Sequence, residues 1–189
     1  MLEITIPKFE SEYFDEKTER FIKISTKETK LQLEHSLIAI KKWEQIWHKP
    51  FLDDTVDKTP EEMISYIECM TLNHVDDRTV YSVIPKEIFE IIGKYIKDPM
   101  TATWFGGNNS FDHIMGMAKE KVTAEIIYYW IFSLGLPIDL QKWHINQLLT
   151  LIKVFNIKNG KPKKESKRET ISRIAAENAR RRAIYNSKG

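Results

Sequence analysis

The sequence predicts an α+β fold: a predominantly helical domain carrying a small amino-terminal antiparallel β-sheet. Three observations lead there. Near the start, apolar and polar residues alternate at the period of a half-buried strand, whereas from Leu37 onward apolar residues recur at threes and fours, the period of a helix. The densest apolar run, KVTAEIIYYWIFSLGLPIDLQKWHINQLLTLIKVFNI from Lys121 to Ile157, is divided by Gly135 and Pro137. Glycine closes a helix in the left-handed conformation and proline cannot continue one, so the run predicts two antiparallel helices.

The opening LEITIP sets Leu2, Ile4 and Ile6 on one side of a strand that Pro7 ends. After a polar connection, FIKI and KLQL alternate around Ser25-Thr26-Lys27-Glu28-Thr29, which predicts a β-hairpin whose inward residues include Ile22, Ile24, Leu31 and Leu33. So few strands need a helix to cover them. That helix is expected from Ser36, with Leu37, Ile40, Trp43, Ile46 and Trp47 on its apolar face and a stop before Pro50. Trp43 and Trp47, one turn apart, are expected as core residues over the sheet in preference to an exposed aromatic platform.

Thr59-Pro60-Glu61-Glu62 is the clearest helix start in the chain. It combines an N-cap threonine, a proline at the first helical position and a glutamate placed for a capping box. Met63, Ile64, Ile67 and Met70 supply the face that follows. A turn or short helix is expected at His74 to Asp77, then a helix from Pro85 to Ile96 with Ile88, Ile91, Ile92 and Tyr95 on one face, ended at Asp98-Pro99. The glycines and asparagines of MTATWFGGNNS, Met100 to Ser110, predict a mobile loop, and the adjoining FDHIMGMAKE a short helix. In the late run, the first helix is apolar around most of its circumference, which predicts a central position. The second carries one stripe, Ile145, Leu148, Leu149 and Ile152, and is expected to pack on that face alone.

After Ile157 the composition changes at Asn159-Gly160-Lys161-Pro162, and a basic, helix-capable tail follows. The predicted division is a globular domain at 1–157 and a tail at 158–189. The net charge of +2 hides an asymmetry: the tail holds eleven basic and three acidic residues, or +8, which leaves −6 on the body. The tail's apolar stripe of Ile171, Ile174, Ala175, Ala179 and Ile184 is thin, so it is either a projecting helix or one that orders on a partner. Lys161, Lys163, Lys164, Lys167, Arg168, Arg180, Arg181 and Arg182 are the candidate partner-binding residues. Their readings rank as a solvated terminus first, a protein contact second and nucleic acid third, because only Tyr185 offers an aromatic for base stacking.

Chemistry finds little support. A single cysteine, Cys69, excludes an intramolecular disulfide and fits a structural thiol. The five histidines show no metal spacing, Gly106-Gly107 alone makes no phosphate site, and adjacent Asp112 and His113 point in different directions on a helix. No catalytic residue, metal or cofactor is expected. A membrane hairpin is rejected on length, since Lys121 and Glu125 bound one run and Lys142, His144, Asn146 and Gln147 interrupt the other. The start lacks a secretory signal, which places the chain in a cytoplasm.

Five phrases carry a resemblance: LQLEHSLIAIKKWEQIWHKPFL (Leu31 to Leu52), MISYIECMT (Met63 to Thr71), DPMTATWF (Asp98 to Phe105), AEIIYYWIFSLGLPIDLQKWHINQLLTLIKV (Ala124 to Val154) and ENARRRA (Glu177 to Ala183). Together they resemble a family of tail-module proteins of long-tailed bacteriophages, regarded as candidate tail assembly chaperones. The resemblance implies binding to the tape measure protein, or another tail protein, in the host cell cytoplasm. It brings no site residues. It also implies that a programmed frameshift could replace or extend the carboxyl terminus, with Lys163-Lys164 encoded by a slippery run. A structural virion component of the tail or connector, and a nucleic-acid-binding phage protein, are the alternatives; a homo-oligomer is left open.

Overall fold

The computed structural model describes residues 1–15, 19–103, 121–159, 171–172 and 174–178. It has the α+β character that the patterning predicts. Two compact units divide the chain, Met1–Phe155 and Asn156–Gly189. The division falls inside the last helix of the domain, against an expected boundary after Ile157.

Four strands open the first unit: β1 (Leu2–Ile6), β2 (Phe9–Asp15), β3 (Arg20–Thr26) and β4 (Thr29–Leu33). β1 pairs with β4 and β2 with β3, both antiparallel. The pairs run in one register, from Leu2 opposite Leu33 to Ile6 opposite Thr29, then from Phe9 opposite Thr26 to Asp15 opposite Arg20. The whole is one long hairpin interrupted where Pro7-Lys8 lies opposite Lys27-Glu28. Proline has no N–H to give to a ladder, which accounts for the break.

This corrects the expected hairpin of FIKI with KLQL. Those segments follow one another along the same side of the ribbon and pair with different partners. Ser25 to Thr29 is not a reversal, and the supposed polar connection contains β2. Among the predicted inward residues, Leu31 and Leu33 are fully buried and Ile24 is half-buried. β4 is continued by a bridge from Leu33 to Thr71, and the Leu72 N–H donates to the Gln32 carbonyl at 2.8 Å.

The α-helices that follow are α1 (Leu37–Trp47), α2 (Pro60–Met70), α3 (Lys86–Lys97), α4 (Ala124–Ser133) and α5 (Ile145–Asn159). Short 3-10 segments cover Arg78–Val83 and Ile138–Lys142. α1 starts at Ser36, whose Oγ accepts the Ala39 N–H at 3.3 Å, and ends at His48, which takes the left-handed conformation at φ 52°. α2 has the full capping box between Thr59 and Glu62, with Pro60 in its first turn. α3 places Glu87 in its first turn and Lys94 and Lys97 in its last, each favourable to the helix dipole.

α1 is the hub, since α2, α4 and the Ile138–Lys142 segment all pack on it. Trp43 is fully buried there, and its indole N–H donates to the Glu62 carbonyl at 2.7 Å; Trp47 donates to Ser65 Oγ at 3.1 Å. Both tryptophans therefore engage α2, which corrects the expectation that they cover the sheet. The helix that packs on β1 is α3. Two residues assigned to apolar faces, Ile46 on α1 and Ile91 on α3, are exposed.

One core joins Ile6, Leu31 and Leu33 of the strands to Leu37, Ile40, Tyr66, Ile67, Met70, Ile92, Ile127 and Ile131 of the helices. The α5 stripe is buried as expected, at Ile145, Leu148, Leu149 and Ile152. α4 and α5 do not form a close helical hairpin: α4 packs principally on α1, and the 3-10 segment intervenes.

Candidate partner-binding surface

Two groups of buried polar side chains are engaged by the fold, whereas Thr26 Oγ1 and Trp130 Nε1 are buried without a hydrogen-bond partner. Glu44 on α1 lies in the core with both carboxylate oxygens engaged: Oε1 accepts the Phe51 N–H and Oε2 the Ala124 N–H, each at 2.8 Å. Ala124 is the first residue of α4, whose N-cap Thr123 gives no side-chain bond. Glu44 thus does from a distance what a capping side chain does locally. Burial raises its pKa, and the two amides hold the rise in check.

A second group surrounds His35. Tyr66 Oη is hydrogen-bonded to His35 Nδ1, and the His35 and His144 rings meet edge to face at 4.9 Å. His144 Nε2 donates to the Tyr95 carbonyl at 3.1 Å, while its Nδ1 accepts the Asn146 N–H at 3.3 Å. Tyr95 Oη donates to Glu34 at 2.7 Å, and the other Glu34 oxygen meets the amino terminus at 2.7 Å. Burial first, and His144 second, push the His35 pKa down to about 3. With His35, Tyr66 and His144 all buried, the cluster binds strand end to helix starts and presents no face to a substrate.

Cys69 is half-buried on α2, and burial pushes its thiol up to about 11. It is protonated at neutral pH and a poor nucleophile. Glu62, of the adjacent Glu61-Glu62 pair, is consumed by the capping box and by Lys49 at 2.5 Å. Among the described residues, no group of three or more His, Cys, Asp or Glu side chains could hold a metal ion. No helix among them is long and apolar enough to cross a membrane.

What the core leaves outside is more informative. α4 buries Ala124, Ile127, Trp130 and Ile131 but turns Tyr129 and Phe132 outward, 65% and 66% exposed and one turn apart. The outward pair limits the expectation of a central position for α4, since one face of the helix stays uncovered. Ile138, the first residue of the following 3-10 segment, and Trp143, just after its end, are also exposed. Tyr128, at the margin of this face, is held by Gln141 at 2.9 Å and by Lys41 over its ring. Aromatic side chains are enriched among the anchors of protein interfaces, which makes this face the candidate surface among the described residues.

The eight tail residues singled out by charge, Lys161, Lys163, Lys164, Lys167, Arg168, Arg180, Arg181 and Arg182, lie outside the described residues, as do Trp104 to Ser110 of the predicted loop and FDHIMGMAKE. In the second unit, residues 171–172 and 174–178 are helical, with Ile171 and Ile174 exposed. Sequence reasoning missed Glu44 and the outward pair Tyr129 and Phe132. For the pair a signal existed: three consecutive aromatics, Tyr128 to Trp130, cannot all face the same side of a helix. No family model, curated protein or solved structure matches this chain.

Proposed function

We propose that the chain is a bacteriophage tail assembly chaperone that binds the tape measure protein in the host cell cytoplasm and carries out no chemistry. The observation that carries this reading is the outward aromatic face of α4, Tyr129 and Phe132. A long helical partner that must remain soluble until a tube polymerises around it presents apolar helix faces, and an aromatic helix surface is suited to cover them. The resemblance of five segments to phage tail-module proteins supports the identity of the partner. The basic tail supplies a second contact, in which Lys161 to Arg168 and Arg180 to Arg182 meet acidic stretches of the same partner.

Co-expression of the tape measure protein from the same gene cluster, with and without this chain, tests the proposal. Rescue of solubility and co-purification, weakened by deleting residues 161–189, support it. Equal solubility and no complex overturn it. A structural tail or connector role is the second reading, favoured by the open strand edges of β2 and β3. Purified particles distinguish the two, because a structural component stays in the virion and a chaperone leaves.

A further inference from the structure

The arm made of β2 and β3 has the features of a sheet that other strands continue. Each strand has a single neighbour, so alternate backbone N–H and C=O groups along its outer edge have no strand partner among the described residues. The described side chains of the arm are exposed except for Ile24 and Thr26, and Phe9, Phe14 and Phe21 are among the exposed large apolar groups. A two-stranded ribbon whose described side chains are largely exposed buries little apolar area and is marginal in water without further strands.

Charge is the usual protection of such an edge, and here it is sorted by strand. β2, FESEYFD, carries Glu10, Glu12 and Asp15 with no base, whereas β3, RFIKIST, carries Arg20 and Lys23 with no acid. Lys8 ion-pairs with Glu10 at 2.8 Å at the root of the arm, so Glu12 is the acid that matters most in its middle. Two arms meeting β2 to β2 set acid against acid, and β3 to β3 sets base against base. Like charges directly opposite destabilise a strand pair. Only β2 against β3 is complementary.

That pairing also preserves the antiparallel sense, and it can repeat the register of the hairpin itself. Within one chain Glu12 lies opposite Lys23 and Phe14 opposite Phe21, with the two phenyl rings 5.2 Å apart. Repeated between chains, the same register places each Lys23 between two glutamates and extends the phenylalanine pair into a ladder. We propose that β2 of one copy pairs edge to edge with β3 of the next, so that successive copies build one antiparallel sheet from their arms. The two edges differ, so the contact is heterologous: copies close into a ring or continue as an open chain, and a two-fold dimer is not the product. This assembly stands on the arm alone and holds for a chaperone and for a virion component alike.

Sedimentation velocity of the full chain over a range of concentrations, with Glu12→Lys, Lys23→Glu, the double variant, and an equimolar mixture of the two single variants, tests the proposal. The wild type is expected to associate beyond a dimer. Each single variant is expected to lose at least about tenfold in association, which corresponds to about 1.4 kcal/mol. The mixture is expected to assemble again, because in an alternating array every interface sets a base against an acid; the double variant should assemble by itself. Mixing cannot restore a pair within one chain, so recovery in the mixture separates contact between copies from damage to a single arm. A wild type that is monomeric throughout, association unchanged by Lys23→Glu, or a mixture that behaves as the sum of its parts overturns the proposal.

Discussion

Glu44 and Ala124 are 80 residues apart in sequence, yet Glu44 Oε2 accepts the Ala124 N–H at 2.8 Å while Oε1 accepts that of Phe51. One buried carboxylate therefore sets the start of α4 and the path of the chain after α1. Glu44→Ala strands two buried donors and is expected to cost about 3 kcal/mol, whereas Glu44→Gln keeps the shape and one acceptor and costs about 1 kcal/mol. The difference is in the right direction for a second reason. Burial raises the pKa of Glu44, so its ionisation subtracts from stability as pH rises through that value, and glutamine removes this penalty. Urea unfolding at neutral pH measures both variants; equal losses would contradict the assignment.

The His35 cluster gives the fold a defined response to acid. His35 is pushed down to about 3, so it stays neutral in the folded chain and takes up a proton near 6.5 when the chain unfolds; burial lowers His144 in the same direction. The unfolded state then binds more protons at acid pH. The stability that follows from a neutral His35 is complete above about 6.5 and falls as pH drops, by up to about 1.4 kcal/mol per pH unit. In urea unfolding between about pH 6.5 and about pH 5, above the range where lowered carboxylates titrate, His35→Asn should show a shallower slope than the wild type. An identical slope would mean that His35 is not neutral when folded.

Gly135 closes α4 at φ 65°, with the Leu136 N–H bonded to the Ile131 carbonyl at 2.9 Å and the Gly135 N–H to that of Phe132 at 3.1 Å. A Cβ at this position meets nothing within 4 Å. Gly135→Ala is therefore expected to cost about 1 kcal/mol through backbone conformation alone. Thermal unfolding checks it, and a neutral substitution would indicate that the turn relaxes.

Tyr129 and Phe132 are largely exposed and contribute little to folding. Tyr129→Glu and Phe132→Glu should each change unfolding free energy by no more than about 0.5 kcal/mol. A loss of several times that size would place both rings in a covered environment.

Local chemistry was legible in the sequence wherever it was self-contained. Thr59-Pro60-Glu61-Glu62 states a helix start in four residues, Gly135 states a helix end, and the α5 stripe follows from its period. Partnership between distant segments was not legible. FIKI and KLQL announce strands, but alternation does not say which strand each will meet, and β2 hides because Glu10, Ser11, Glu12 and Asp15 make FESEYFD polar enough to read as a connection. The same holds for Glu44, whose polar side chain carries no mark of the two amides it will serve. For the candidate surface, composition pointed to the basic tail, and the outward pair on α4 emerged only once α1 had claimed the opposite face.

The most direct measurement is affinity capture of the tape measure protein on wild-type chain and on the folded double variant Tyr129→Glu, Phe132→Glu, at matched concentrations. The proposal predicts that the wild type retains the tape measure protein and that the variant loses at least about tenfold in affinity, the size expected for removing buried aromatic anchors. Equal capture by both, or none by the wild type, would contradict it.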